Sequence, residues 1–158
     1  MDMSLSERIA AYQSASQYFL NLAVGTPADL LDLHHENGWS ARQVIHHMAD
    51  SEAQSYARLR RLVAEPEGSI IQGYDEAAWA QCEALGYASA PVENSIAVYA
   101  AVRASSLDLL KRLTESDLEK SGVHSESGKY TIDKWLTTYT KHPHDHGDQL
   151  VRATKGQE

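Results

Sequence analysis

Apolar residues recur at helical spacing through four long segments of this chain, and no stretch alternates convincingly with the period of two that a half-buried strand requires. In the first segment Ile9, Tyr12, Phe19, Leu20 and Ala23 recur at helical intervals; Ser4 and Glu7 have capping-box spacing at its start, and Gly25-Thr26-Pro27 ends it. The second opens at GWSARQV, where Ser40 can cap with Gln43 while Trp39 and Val44 hold the positions of a hydrophobic staple. It is predicted over Ala41–Ala64 and stops at EPEG. A weaker segment, YDEAAWAQCEAL, predicts a short helix inside a longer crossover. The third long helix follows Pro91 with Ile96, Tyr99, Ala100, Leu107 and Leu110 on one face. SDLEKSGVHSESGKY reads as a polar, glycine-punctuated connection, and the fourth long helix starts near Thr131.

Four amphipathic helices in 158 residues predict an all-α four-helix bundle with at least one crossover, formed by a single domain over residues 1–158. The formal net charge of -8 argues against nucleic acid or an anionic membrane as partner, because both demand a basic face. Cys82 is the only cysteine, which excludes an internal disulfide and a CxxC-type site and fits a reducing cytoplasm. With no base near it in sequence, Cys82 is expected to be a small buried hydrophobe. The start, MDMSLSERIA, lacks the features of a signal peptide, and no apolar run approaches the roughly 18 residues of a membrane span. A cytoplasmic protein is expected.

Bundle cores commonly hold ligand or metal sites built from facing helices, which directs attention to KHPHDHGDQ, Lys141–Gln149. At about 100° per residue, Ile132, Trp135, Leu136, Tyr139 and Leu150 form the buried stripe of the last helix. His146 lies within that stripe and His142 at its edge, while His144 points to solvent. Spacing i, i+4 stacks His142 and His146 so that both can reach one divalent ion. On the second helix the same arithmetic turns His47 toward the buried face of Val44, Ile45, Met48, Leu59, Leu62 and Val63, and His46 outward. Three neutral imidazoles suit zinc, nickel or another late first-row ion and leave positions open for water or substrate. The alternative is that these histidines bind nothing and simply pack. Pro143 is expected to kink the helix at Tyr139 or restart it there.

The order WSARQVIHHMADSE, then G-x2-T-I, then H-x3-H-x2-Q, with YDEAAWA in the crossover and an arginine on the third long helix, resembles the DinB/YfiT-like superfamily of metal-dependent enzymes. The resemblance spans most of the chain. It implies an up-down-down-up four-helix bundle and a nickel or zinc ion held by His47, His142 and His146, the residues the helical wheel selects. It further implies a monomer or homodimer acting on a small-molecule substrate, as a hydrolase or as a transferase using a low-molecular-weight thiol. Pro143 departs from the helix-forming residue usual at that position.

Glu52 and Arg103 fall on faces predicted to be buried, where an unpaired charge is costly. They are expected either to pair with each other or to face the metal cavity, with Glu52 accepting a proton and Arg103 holding an anionic substrate group; the alternative is that Arg103 snorkels to water and Glu52 lies at the rim of its stripe. His34, His35 and His124 are expected to be solvated, and Tyr130, Tyr139, Trp135 and Trp79 to form core or pocket wall. The competing function is a non-catalytic metal-binding or stress-response bundle acting as a dimeric interaction module.

Overall fold

The computed structural model describes residues 2–158. Four long helices run over Leu5–Gly25 (α1), Ala41–Ala64 (α2), Glu93–Leu110 (α4) and Ile132–Thr154 (α5), with the short Glu76–Gln81 (α3) in the crossover. Local chemistry sets their starts. Ser4 and Glu7 form a reciprocal capping box, as do Ser40 and Gln43, while Asp75 caps α3 and Thr131 caps α5 by accepting from the backbone N–H three residues on. The second helix has the span its sequence predicts.

Side-chain contacts fix the topology. His47 meets His146, Ser51 meets His142, and the Trp135 indole donates to the Ser55 carbonyl at 3.0 Å, so α2 and α5 are antiparallel. His46 meets Ser95, Glu52 meets Arg103 and Arg60 meets Ser105, so α2 and α4 are parallel. Helix α1 runs parallel to α5, with Tyr12 stacked on Trp135, and antiparallel to α4, with Phe19 against Tyr99. The bundle is therefore up-down-down-up, and the parallel α2–α4 pair explains the long crossover. Gly147 permits the close approach of α1 and α5: a Cβ there would sit 2.6 Å from Tyr18 Cε1.

The expected absence of strands is overturned. Ile70–Ile71 (β1), Ser121–His124 (β2) and Gly128–Thr131 (β3) form a sheet in the order β1-β2-β3, parallel then antiparallel. These strands are too short to show a period of two; backbone pairing and the β2–β3 turn, closed by Gly128 at φ 81°, define them instead. Ile71 and Tyr130 anchor the sheet in an apolar cluster with Leu59, Leu62 and Trp135.

A second apolar cluster contains Phe19, Val44, Ile45, Met48, Tyr99 and Leu150. Between the two clusters lies a buried polar layer of His47, Ser51, Glu52, Ser55 and Arg103. The candidate site occupies this layer. Two further expectations are corrected here. Cys82 is exposed, because α3 lies on the surface and buries none of its residues. His46 is buried, because the crossover folds back over it: its Nε2 lies 3.0 Å from the Ala90 carbonyl and its Nδ1 2.7 Å from the Ser95 hydroxyl. No helix among the described residues is long and apolar enough to cross a membrane.

Candidate metal centre

Three imidazoles converge where α2 crosses α5. His146 Nε2 lies 3.1 Å from His142 Nε2 and 3.3 Å from His47 Nε2. One nitrogen from each ring falls within 4.8 Å of the other two. Metal–nitrogen bonds of about 2.05 Å in a tetrahedron would place the nitrogens about 3.3 Å apart. The donor set therefore fits a divalent ion in chemistry and in spacing. His144, by contrast, is exposed and stacks against Tyr18, as its angle on the helix predicts.

Surrounding groups orient the rings. Gln149 Oε1 accepts from His146 Nδ1–H at 2.8 Å, which leaves the His146 Nε2 lone pair directed at the other two rings. The Ser51 hydroxyl lies 3.4 Å from His142 Nδ1, and Trp39 packs edge-on against His47. His47 Nδ1 is buried and has no partner among the described residues. Burial, reinforced by His146, lowers the His47 pKa from 6.5 to about 4. Burial also lowers His142 to about 3, assisted by His146, His47, Arg103 and Lys141. Both rings are thus neutral donors at pH 7, the form a metal requires.

Pro143 does not divert His142. Helix α5 is continuous through it, and the carbonyl that the proline deprives of an N–H, that of Tyr139, accepts instead from Arg103 Nη1 at 2.7 Å. The other Nη of Arg103 donates to Glu52 Oε1 at 2.6 Å, while Ser55 donates to Glu52 Oε2 at 2.8 Å. Glu52 and Arg103 are buried and paired, one of the arrangements expected of them. Both carboxylate oxygens are engaged, and Arg103 lines a groove between α1 and α4 rather than the approach to the histidines.

That approach is a cleft of about 160 Å³ lined by Ser51, Arg58, Tyr74, His124, Glu126 and His142, among others. Arg58, Tyr74 and Glu126 escaped sequence reasoning. His124, expected to be solvated, is half-buried on β2, where burial and the Arg58 charge lower its pKa. The sheet brings His124 and Glu126 to the cleft, so missing the strands meant missing this wall. An arginine one turn and a half beyond Glu52, offset from the most buried stripe, was the available signal for Arg58.

Comparison with known proteins agrees with this geometry. A family model described as the DinB superfamily matches residues 11–150. An Oceanobacillus iheyensis protein, OB0782, named as a candidate metal-dependent hydrolase, is 33% identical over 152 residues, covering 96% of this chain and 86% of its own length. YfiT of Bacillus subtilis, named likewise, is 31% identical over 133 residues, covering 84% and 73%. The solved YfiT structure, described as having an unusual four-helix-bundle topology, superposes with a TM-score of 0.84 at 25% identity, covering 98% of this chain and 89% of that one.

Proposed function

The chain belongs to the DinB superfamily, and from that premise we propose a metal-dependent enzyme, a hydrolase or a thiol-dependent S-transferase, whose centre is one nickel or zinc ion on His47, His142 and His146. The observation that carries this reading is the mutual approach of three Nε2 atoms, one of them on His142, which also lines an open cleft. When bound, the ion supplies Lewis acidity toward a water or thiol and toward a polar substrate bond.

The chain's own groups do the rest. His47 and His142 remain neutral because burial disfavours their protonation. Gln149 fixes the His146 tautomer, and Ser51 restrains His142. Glu52 and Arg103 act by position: they hold the Tyr139 carbonyl and hence the turn that carries His142. The cleft walls admit a small molecule from the side of β2. A cytoplasmic setting would supply a low-molecular-weight thiol in its reduced form.

Elemental analysis of protein purified without a histidine tag tests the reading. Near-stoichiometric metal in the wild type and almost none in His142→Ala/His146→Ala is expected; equal, substoichiometric metal in both would sink it. Assays of the loaded protein on a panel of electrophiles, with and without a small thiol, then separate transfer from hydrolysis.

A further inference from the structure

The cleft in front of the histidines contains a cation that the metal does not account for. Arg8, Arg42, Arg61 and Arg103 each have a carboxylate partner. Arg58, half-buried, has none among the described residues. Its Nη1 donates to the Tyr139 hydroxyl at 3.1 Å and its Nη2 to the Gln72 carbonyl at 2.9 Å, both uncharged acceptors. Its buried Nε and the buried hydroxyl of Tyr74, which lines the same cleft, make no well-formed hydrogen bond among the described residues. A guanidinium stripped of part of its hydration and given no carboxylate in direct contact can gain a further charged partner.

We propose that this cleft is an anion subsite in which Arg58, assisted by Tyr74, holds the carboxylate of a small monoanionic substrate whose reacting end lies toward His142. The proposal rests on reading the cleft as the substrate's route to the three histidines. The guanidinium fork matches the two oxygens of a carboxylate, and a charge-assisted pair is the strongest bond such a site can offer. The sign of the ligand's charge follows from Arg58 and its size from the walls. Glu76 and Glu126 are exposed lining residues of the same cleft and repel any anion, a dianion about twice as strongly as a monoanion, so the subsite favours a monocarboxylate over a phosphate dianion. Ser51, whose hydroxyl lies 3.4 Å from His142 Nδ1, and Thr138 add hydroxyls to the cleft lining.

Propionate titrated into the full-length protein as isolated, followed by backbone amide NMR shifts, tests the subsite; metal content and melting temperature are measured on the same samples. Wild type binds, and Arg58→Gln binds roughly tenfold or more weakly with its metal content and melting temperature unchanged. Glu126→Gln binds as tightly as wild type or tighter, inorganic phosphate fails to compete, and His146→Ala retains its propionate affinity. Arg58→Gln binding as tightly as wild type would overturn the subsite, as would phosphate matching propionate. Loss of binding in His146→Ala with retention in Arg58→Gln would place the carboxylate on the metal and overturn it too. A wild type that binds propionate through Arg58 yet carries no metal would leave the subsite standing while removing the metal centre.

Discussion

Two polar clusters share the buried layer between α2 and its neighbours, and they are built on opposite terms. In one, Glu52, Arg103, Ser55 and the Tyr139 carbonyl bond one another: both carboxylate oxygens and both Nη groups are engaged, and the Arg103 Nε is left without a partner among the described residues. In the other, His47, His142 and His146 direct Nε2 atoms at a common point with no carboxylate or other protein charge between them. A cluster closed on itself stabilises a geometry; a cluster whose donors face one another is left open to a ligand. The first braces the second across Pro143, since the guanidinium replaces the helix hydrogen bond one turn before His142.

Breaking the closed cluster should have the largest effect. Glu52→Leu leaves Arg103 charged, buried and without its partner, and should cost about 3–5 kcal/mol in urea unfolding. Glu52→Leu combined with Arg103→Met should cost less than Glu52→Leu alone; a double variant that is worse would show that the pair contributes more than charge neutralisation. The brace itself is tested by Pro143→Ala, which restores the N–H that Tyr139 lacks. Arg103→Met should weaken metal affinity more strongly in otherwise wild-type protein than in the Pro143→Ala background, and equal losses would remove the brace.

The open cluster should respond to pH with a definite sign. The His47 and His142 pKa values fall to about 4 and about 3 in the folded chain from an ordinary 6.5, so the unfolded chain binds more protons between those values. Metal-free protein should therefore lose stability as the pH drops below about 6.5 toward about 3. That part of the loss should vanish in His47→Ala/His142→Ala; a pH profile identical to wild type would contradict the assigned burial. The smallest effect belongs to Gln149→Ala, which frees the His146 tautomer and should weaken metal binding about tenfold with little change in fold stability.

The long helices and the histidine trio were legible in the sequence for a shared reason. Capping boxes at Ser4 and Ser40 are local, and a 3.6-residue period fixes which way His47, His142 and His146 turn without knowledge of distant contacts. Where tertiary contacts decide, that arithmetic failed. His46 points away from the bundle axis yet is buried, because Ala90 at the end of the crossover and Ser95 in the first turn of α4 cover it. The sheet was invisible because β1 has two residues and the others four, so no periodicity exists to read. Arg58 gained meaning only when β2 and the turn after it delivered His124 and Glu126 to the same cleft. Pro143 removes one helix hydrogen bond as its chemistry requires but does not restart the helix, and nothing local shows that Arg103, 36 residues before Tyr139, supplies the missing donor.

The central claim is that the three histidines jointly hold one metal ion, and anomalous diffraction from metal-loaded crystals at the metal's absorption edge tests it most directly. The account predicts a single strong peak about 2.0–2.1 Å from the Nε2 atoms of His47, His142 and His146. A peak bound elsewhere on the chain, or three ordered imidazoles with no peak among them at saturating metal, would contradict it.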